Sequence, residues 1–285
     1  MPTIRSKSLI VSKGNHLIEA TYRLSLAEQR LLLLTIARLD SRTLLQPGIC
    51  HIITATEISH SYDISRDHAY DLLIDVAERL YERSIVIHCP DPDRPEVTVL
   101  RTRWVSGIRY IPSRGAIELV FAPTILPFLS QLRREFSSYR LEHIAPMTSI
   151  YAIRLYELLV QWRDSGTRTV EIDWLRERFE LGDKYPSIRD LKARVLHPAI
   201  AQINAHSDLW LKCEQIKRGR AVTTLIFTFG AKADRPQNAS ARRAKASLTR
   251  AYIEQHACPG ETWEEAEARL RRKLMSEVDQ SDGID

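Results

Sequence analysis

Apolar and polar positions change their period along the chain often enough to divide it into elements. Leu24 to Leu39 is apolar on nearly every face and predicts a buried helix, opened by the capping box Ser25 with Glu28 and ending near Asp40. A short apolar strand, Cys50 to Ile53, leads into a second capping box, Thr54 with Glu57, and a short helix to about Tyr62. Ser65 is placed to cap a longer helix in which Leu72, Leu73, Val76 and Leu80 recur at helical spacing as far as Arg83. The β-branched runs Ser84 to His88 and Val97 to Ser106 flank a Pro- and Asp-rich connection, which predicts a hairpin.

Two further strands, Ile108 to Ile111 and Ala116 to Phe121, turn at Pro112 to Gly115, and a Pro-bounded helix around Thr124 to Leu132 closes this first region. From Thr148 the order begins again. A helix to about Asp164 carries Ile153, Tyr156, Leu159 and Val160 as its apolar stripe, and a strand, Thr169 to Ile172, follows. Asp173 caps the next helix, which reaches Leu181 and stops at Gly182. Ser187 caps another, with Leu191, Val195, Ala199 and Ile203 on one face. Leu209 to Ile216 and Val222 to Phe229 are strongly β-forming and are joined by Lys217, Arg218, Gly219 and Arg220. Helix, strand, helix, helix, hairpin is the winged-helix order, here present twice. The sequence thus predicts an α+β protein: two tandem winged-helix domains, residues 1–135 and 136–232, then a linker and helical tail at 233–285. In that tail Thr262 with Glu265 forms a capping box ahead of a narrow stripe, Trp263, Ala266, Leu270 and Leu274.

Composition narrows the class. A length of 285 residues suits two domains, and 44% apolar with 27% charged residues describes a chain that buries a core. Four cysteines without C-x-x-C spacing, and an N-terminus lacking a continuous apolar stretch, predict reduced thiols in a cytoplasmic protein. No apolar run approaches the length that spans a bilayer, so no membrane partner is expected. Lone His60, His88 and His206 read as surface or capping residues rather than metal ligands. Trp104, Trp162, Trp174 and Trp210 read as core. The phosphate-cradling glycine motif, the G-x-S-x-G elbow, the H-E-x-x-H pair and the paired histidines of a DNA-nicking initiator are all missing from the sequence. Neither an enzyme activity nor a cofactor or metal is expected.

Charge placement is more informative than the net charge of +5. Between Ser187 and Arg220 seven Lys and Arg face three acids. With Leu191, Val195 and Ala199 inward, Arg189 and Arg194 turn outward near the start of a helix, and Lys192 lies at the boundary. Arginine's planar fork matches O6 and N7 of guanine, which suits both residues to base edges in the major groove of duplex DNA. Alone, such a helix reads as a solvated face; the basic turn Lys217, Arg218 and Arg220 shifts the balance toward phosphate contacts. In the first region Arg66, His68 and Tyr70 occupy the equivalent exposed helix start, but Asp67 and Asp71 lie among them, so backbone contacts at most are expected there.

The most specific signal is KYPSIRDLKARVLHPAIAQIN at Lys184 to Asn204, followed by the strand around Trp210 to Ile216, the basic turn and LIFTF at Leu225 to Phe229. It resembles the C-terminal winged helix of iteron-binding plasmid replication initiators. LSLAEQRLLLLTIARL at Leu24 to Leu39 resembles the first helix of their N-terminal domain. The resemblance implies binding to directly repeated origin iterons, opening of the adjacent duplex, and recruitment of host replication proteins, a helicase and an initiator. It also implies a homodimer that represses its own promoter, and base contacts made chiefly by the C-terminal domain. A leucine content of Leu24 to Leu39 beyond one buried face agrees with a dimer. A transcriptional regulator with the same fold and no replication role is the competing reading, and the fold cannot separate the two.

Overall fold

The computed structural model describes residues 9–62, 69–90, 94–130, 132, 135–219, 221–234, 264–266 and 268–270. Met1–Gly230 forms one compact unit and Ala231–Asp285 a second. In the first unit, β1 (Ile10–Gly14), α1 (Asn15–Ile18) and β2 (Thr21–Tyr22) precede α2 (Leu26–Ala37). The capping box at α2 is formed in both directions: the Glu28 amide donates to Ser25 Oγ at 3.2 Å, and the Ser25 amide to Glu28 Oε2 at 2.8 Å. Leu31, Leu32, Leu33 and Leu34 are all buried within the protomer. The leucine excess that suggested a dimer face is therefore consumed by the chain's own core.

β3 (Cys50–Thr54), α3 (Ala55–Tyr62) and α4 (Ala69–Glu82) follow, with the Thr54–Glu57 box formed as expected. Glu28, fully enclosed, also receives Arg79 of α4 and Arg83 just after it, at 3.3 and 3.0 Å, which ties α2 to α4. The proposed cap Ser65 lies outside the described residues.

The expected hairpin forms, but its second run is shorter than expected. The run 97–106 is not one strand: β5 (Val99–Arg103) ends at Trp104, and β6 (Val105–Ile111) departs in another sheet to pair with β7 (Ala116–Phe121). Trp104 is fully buried with its ring edge-on to Tyr22 at 5.0 Å, so the chain turns inward there. β4 (Ser84–His88) pairs with β5 and β2, whereas β3 pairs with β7, Ile53 opposite Ile117. The hairpin read from the sequence does form, as β4–β5, but the sheet that holds β3 takes β6–β7 as its hairpin, in the order β3-β7-β6. After it, Pro123–Phe128 forms a 3-10 turn in place of a longer helix, because Pro127 has no amide to donate. β8 (Phe136–Arg140) then pairs antiparallel with β1, Ile10 opposite Arg140.

The second winged helix comprises α5 (Ile150–Val160), β9 (Thr167–Glu171), α6 (Ile172–Arg178), α7 (Ile188–Leu191), a π turn (Lys192–Leu196), α8 (His197–His206), β10 (Leu209–Arg218) and β11 (Ala221–Ala231). Its sheet runs β10-β11-β9. Asp173 is not the cap of α6: Glu171 holds that position without a side-chain bond, and Asp173 sits in the first turn. The helix also stops earlier than Gly182. Glu180 adopts a left-handed φ of 49°, its amide donates to Glu177 O at 3.0 Å, and the Leu181 amide donates to Arg176 O at 3.0 Å, which closes a Schellman motif. Trp162 departs from the predicted core role, being 46% exposed with the Arg168 guanidinium over its ring at 5.7 Å.

Two polar clusters are set inside this unit. Lys13 Nζ lies 2.5 Å from Glu157 Oε1, both without solvent exposure, and the buried Tyr139 hydroxyl donates to the same oxygen at 2.5 Å. Asp208 accepts from Arg163 Nη1 at 2.7 Å and from the Tyr156 hydroxyl at 2.9 Å. Burial pushes the Asp208 pKa up, but the Arg163 hydrogen bond and charge outweigh it and hold the carboxyl below its ordinary 3.8. A carboxyl depressed by folding stabilises above its unfolded pKa and loses that contribution as pH falls through the folded value. Urea midpoints measured from neutral pH down through the carboxyl range should therefore fall more steeply for the wild type than for Asp208→Asn.

In the second unit Lys232–Asp234 forms a 3-10 turn, and residues 264–266 and 268–270 are helical with Ala266 and Leu270 buried, as the tail stripe predicts. Thr262, Trp263 and Leu274 lie outside the described residues. Among those described, no helix is long and apolar enough to cross a membrane, and no His, Cys, Asp and Glu cluster could hold a metal ion.

Candidate nucleic-acid interface

The helix of the second domain that begins at Ser187 is built from its cap inward. The Ser187 hydroxyl accepts the Asp190 amide at 3.0 Å and donates to the Asp190 carboxylate at 2.6 Å. Leu191, Val195, Ala199 and Ile203 are all buried, as the spacing predicts. That anchoring leaves Arg189, Arg194 and His197 exposed. Lys192 is half-buried against β10, close enough to oppose the effect of burial on Cys213, whose thiol is pushed up to about 11. The π turn arises ahead of Pro198, which cannot donate to the Arg194 carbonyl; the His197 amide reaches back to Lys192 O instead.

The wing is longer than the sequence implied. β10 continues through Lys217 and Arg218, both exposed, and the strands are joined by Gly219 in a left-handed conformation, φ 64°, with Arg220 outside the described residues. Among the described residues, Arg189, Lys192, Arg194, Lys217 and Arg218 have no carboxylate ion-pair partner, whereas Arg163 and Arg168 are paired with Asp208 and Glu19. The first group is thus available to an external anion.

Sequence reasoning missed Arg176. Its guanidinium donates to the carbonyls of Gly182, Lys184 and Tyr185, each at 2.8 Å. Those acceptors form the turn before the helix that begins at Ser187, in which Gly182 and Tyr185 are both left-handed. Three charge-assisted bonds hold a turn that the backbone alone would disfavour. Its i, i+6 to i+9 spacing carries no motif that a reader of the sequence would recognise.

In the first domain, Arg66 and His68 lie outside the described residues. Tyr70 opens α4 half-buried, with its hydroxyl shielded from solvent and lacking a hydrogen-bond partner. An exposed cation that the sequence did not single out is Arg114, at the β6–β7 turn beside Gly115, φ 53°. The signal was present as a Pro-Ser-Arg-Gly turn, but its strands were not recognised as the wing.

Residues 10–160 match the family described as Initiator Replication protein, WH1, and residues 171–229 the one described as Initiator Rep protein, WH2. The chain belongs to the Rep initiator family. A replication initiation protein of Escherichia coli is 30% identical to this Rep-family chain over 227 residues, 77% of it and 69% of the relative. The PI protein of Escherichia coli is 23% identical over 256 residues, 79% of this chain and 83% of that one. The crystal structure of the Pi initiator protein in complex with iteron DNA superimposes with a TM-score of 0.67 at 23% identity, covering 80% of this chain and all of that one. The two-winged-helix fold is thereby established.

Proposed function

We propose that the chain binds directly repeated iterons in duplex DNA at a plasmid origin and initiates replication there, acting by binding rather than by covalent chemistry. The observation that carries the reading is the α7–α8 helix of the Rep-family second domain, which presents Arg189 and Arg194 exposed and without carboxylate partners. In this reading those arginines meet base edges, while Lys192, Lys217, Arg218 and Arg220 position the protein on phosphates. Arg66, His68 and Tyr70 contribute backbone contacts from the first domain. The same proposal includes a homodimer that represses the chain's own promoter and contacts with a host helicase and initiator. Family membership alone supports these. The division of labour between residues 1–135 and 136–232, and a cytoplasmic location, belong to the proposal as well.

The gene with its flanking DNA is expected to maintain an otherwise origin-less circle in dividing cells. Loss of that circle, when the purified protein still protects repeats in a footprint, would leave a DNA-binding protein without initiator activity.

A further inference from the structure

Between the two winged helices lies a cavity of about 270 Å³ lined by residues of both, and we propose that it is a phosphate-binding site. Arg154 of α5 lines it while only 3% exposed. Its Nη1 donates to Tyr22 O at 2.9 Å and its Nη2 to Ala20 O at 2.8 Å, and the Tyr22 ring lies 3.7 Å away. Among the described residues this guanidinium has no carboxylate partner, and its Nε has no acceptor. A charge enclosed in this way is costly until an anion accompanies it.

Arg23, from the segment before α2, and Lys184, from the turn before the Ser187 helix, also line the cavity and are exposed. Neither forms an ion pair with a described residue. Arg83 lines it too, but its charge is answered by Glu28 at 3.0 Å in two hydrogen bonds. Glu180 is the one acidic side chain among the lining residues, so Arg23, Arg154 and Lys184 outnumber it. Tyr151 and Phe179, stacked at 5.8 Å, supply an apolar wall. Three cationic side chains on its lining, an unanswered Arg154 Nε, an excess of positive charge and a space of this size suit a phosphate group with part of its sugar.

Two sources supply that chemistry: a free phosphate or nucleotide, and a backbone phosphate of bound duplex. The second rests on the DNA-binding reading, under which the helix-turn-helix turn carrying Lys184 lies against the DNA backbone. Either anion would join Arg23 of the first domain to Arg154 and Lys184 of the second.

The test uses the full chain and the variant Arg23→Ala with Lys184→Ala, whose sites are exposed, and circular dichroism verifies its fold. Thermal unfolding is followed in sodium phosphate and in sodium chloride of equal ionic strength. Duplex binding is measured across a salt series. A phosphate-dependent rise in the wild-type midpoint that the variant lacks supports a free anion. An equal midpoint response, with a duplex salt slope lowered by about one in the variant, supports a backbone phosphate. If variant and wild type agree in both measurements, the proposal is wrong. A wild type that binds no duplex removes the DNA reading, and the phosphate measurement then decides the site by itself.

Discussion

The double variant Arg189→Ala with Arg194→Ala is expected to lose about 2 to 6 kcal/mol of affinity for the specific duplex, at about 1 to 3 kcal/mol for each base-edge arginine. Both side chains are exposed and make no ion pair with described residues, so their removal leaves the fold and its buried face unchanged. The loss should therefore appear as lost discrimination, with binding to random duplex nearly preserved. Lys217→Ala is the informative contrast, because a phosphate contact weakens all sequences alike and lowers the salt slope by about one. Competition binding with specific and random duplexes, repeated over a salt series, separates the two patterns. Equal losses on both duplexes for the arginine variant would assign Arg189 and Arg194 to the backbone.

The largest stability change is expected at Lys13. Lys13→Met leaves the Glu157 carboxylate enclosed with only Tyr139 to answer it, and breaking a buried pair from one side costs about 3 to 5 kcal/mol. Because Lys13 lies on β1, Tyr139 on β8 and Glu157 on α5, the loss would loosen the attachment of the N-terminal ribbon to the first helix of the second domain. Adding Glu157→Leu should restore part of the stability, since it removes the enclosed charge although the buried Tyr139 hydroxyl loses its acceptor. Urea unfolding of the two variants checks this, and a double variant no more stable than the single one would refute it.

The elements with strong local signals were legible in the sequence. Both N-terminal capping boxes formed, and the row Leu191, Val195, Ala199 and Ile203 is buried as its spacing requires. What failed were decisions made by tertiary contact. The β-branched run 97–106 reads as one strand because nothing local marks Trp104 as a corner; its burial against Tyr22 makes it one. The end of α6 was assigned to Gly182 because glycine is the usual left-handed residue, yet Glu180 takes that conformation and Arg176 clasps the turn beyond it. The outward residues of the Ser187 helix follow from its inward ones. The interdomain cavity joins residues too distant in sequence for any pattern to group.

The π turn in the Ser187 helix has a consequence for how two prongs meet a groove. On a regular α-helix, side chains five positions apart diverge by about 140° around the axis. The wider turn at Lys192–Leu196 underwinds the helix between Arg189 and Arg194 and draws the two toward a common azimuth. It also offsets the drift of a strict four-residue apolar row, so the same underwinding that keeps Leu191 to Ile203 inward narrows the angle between the two outward arginines. If these two arginines are the prongs that meet DNA, as proposed, their pitch is fixed from behind, by the protein's own core and by Pro198, before any nucleic acid arrives.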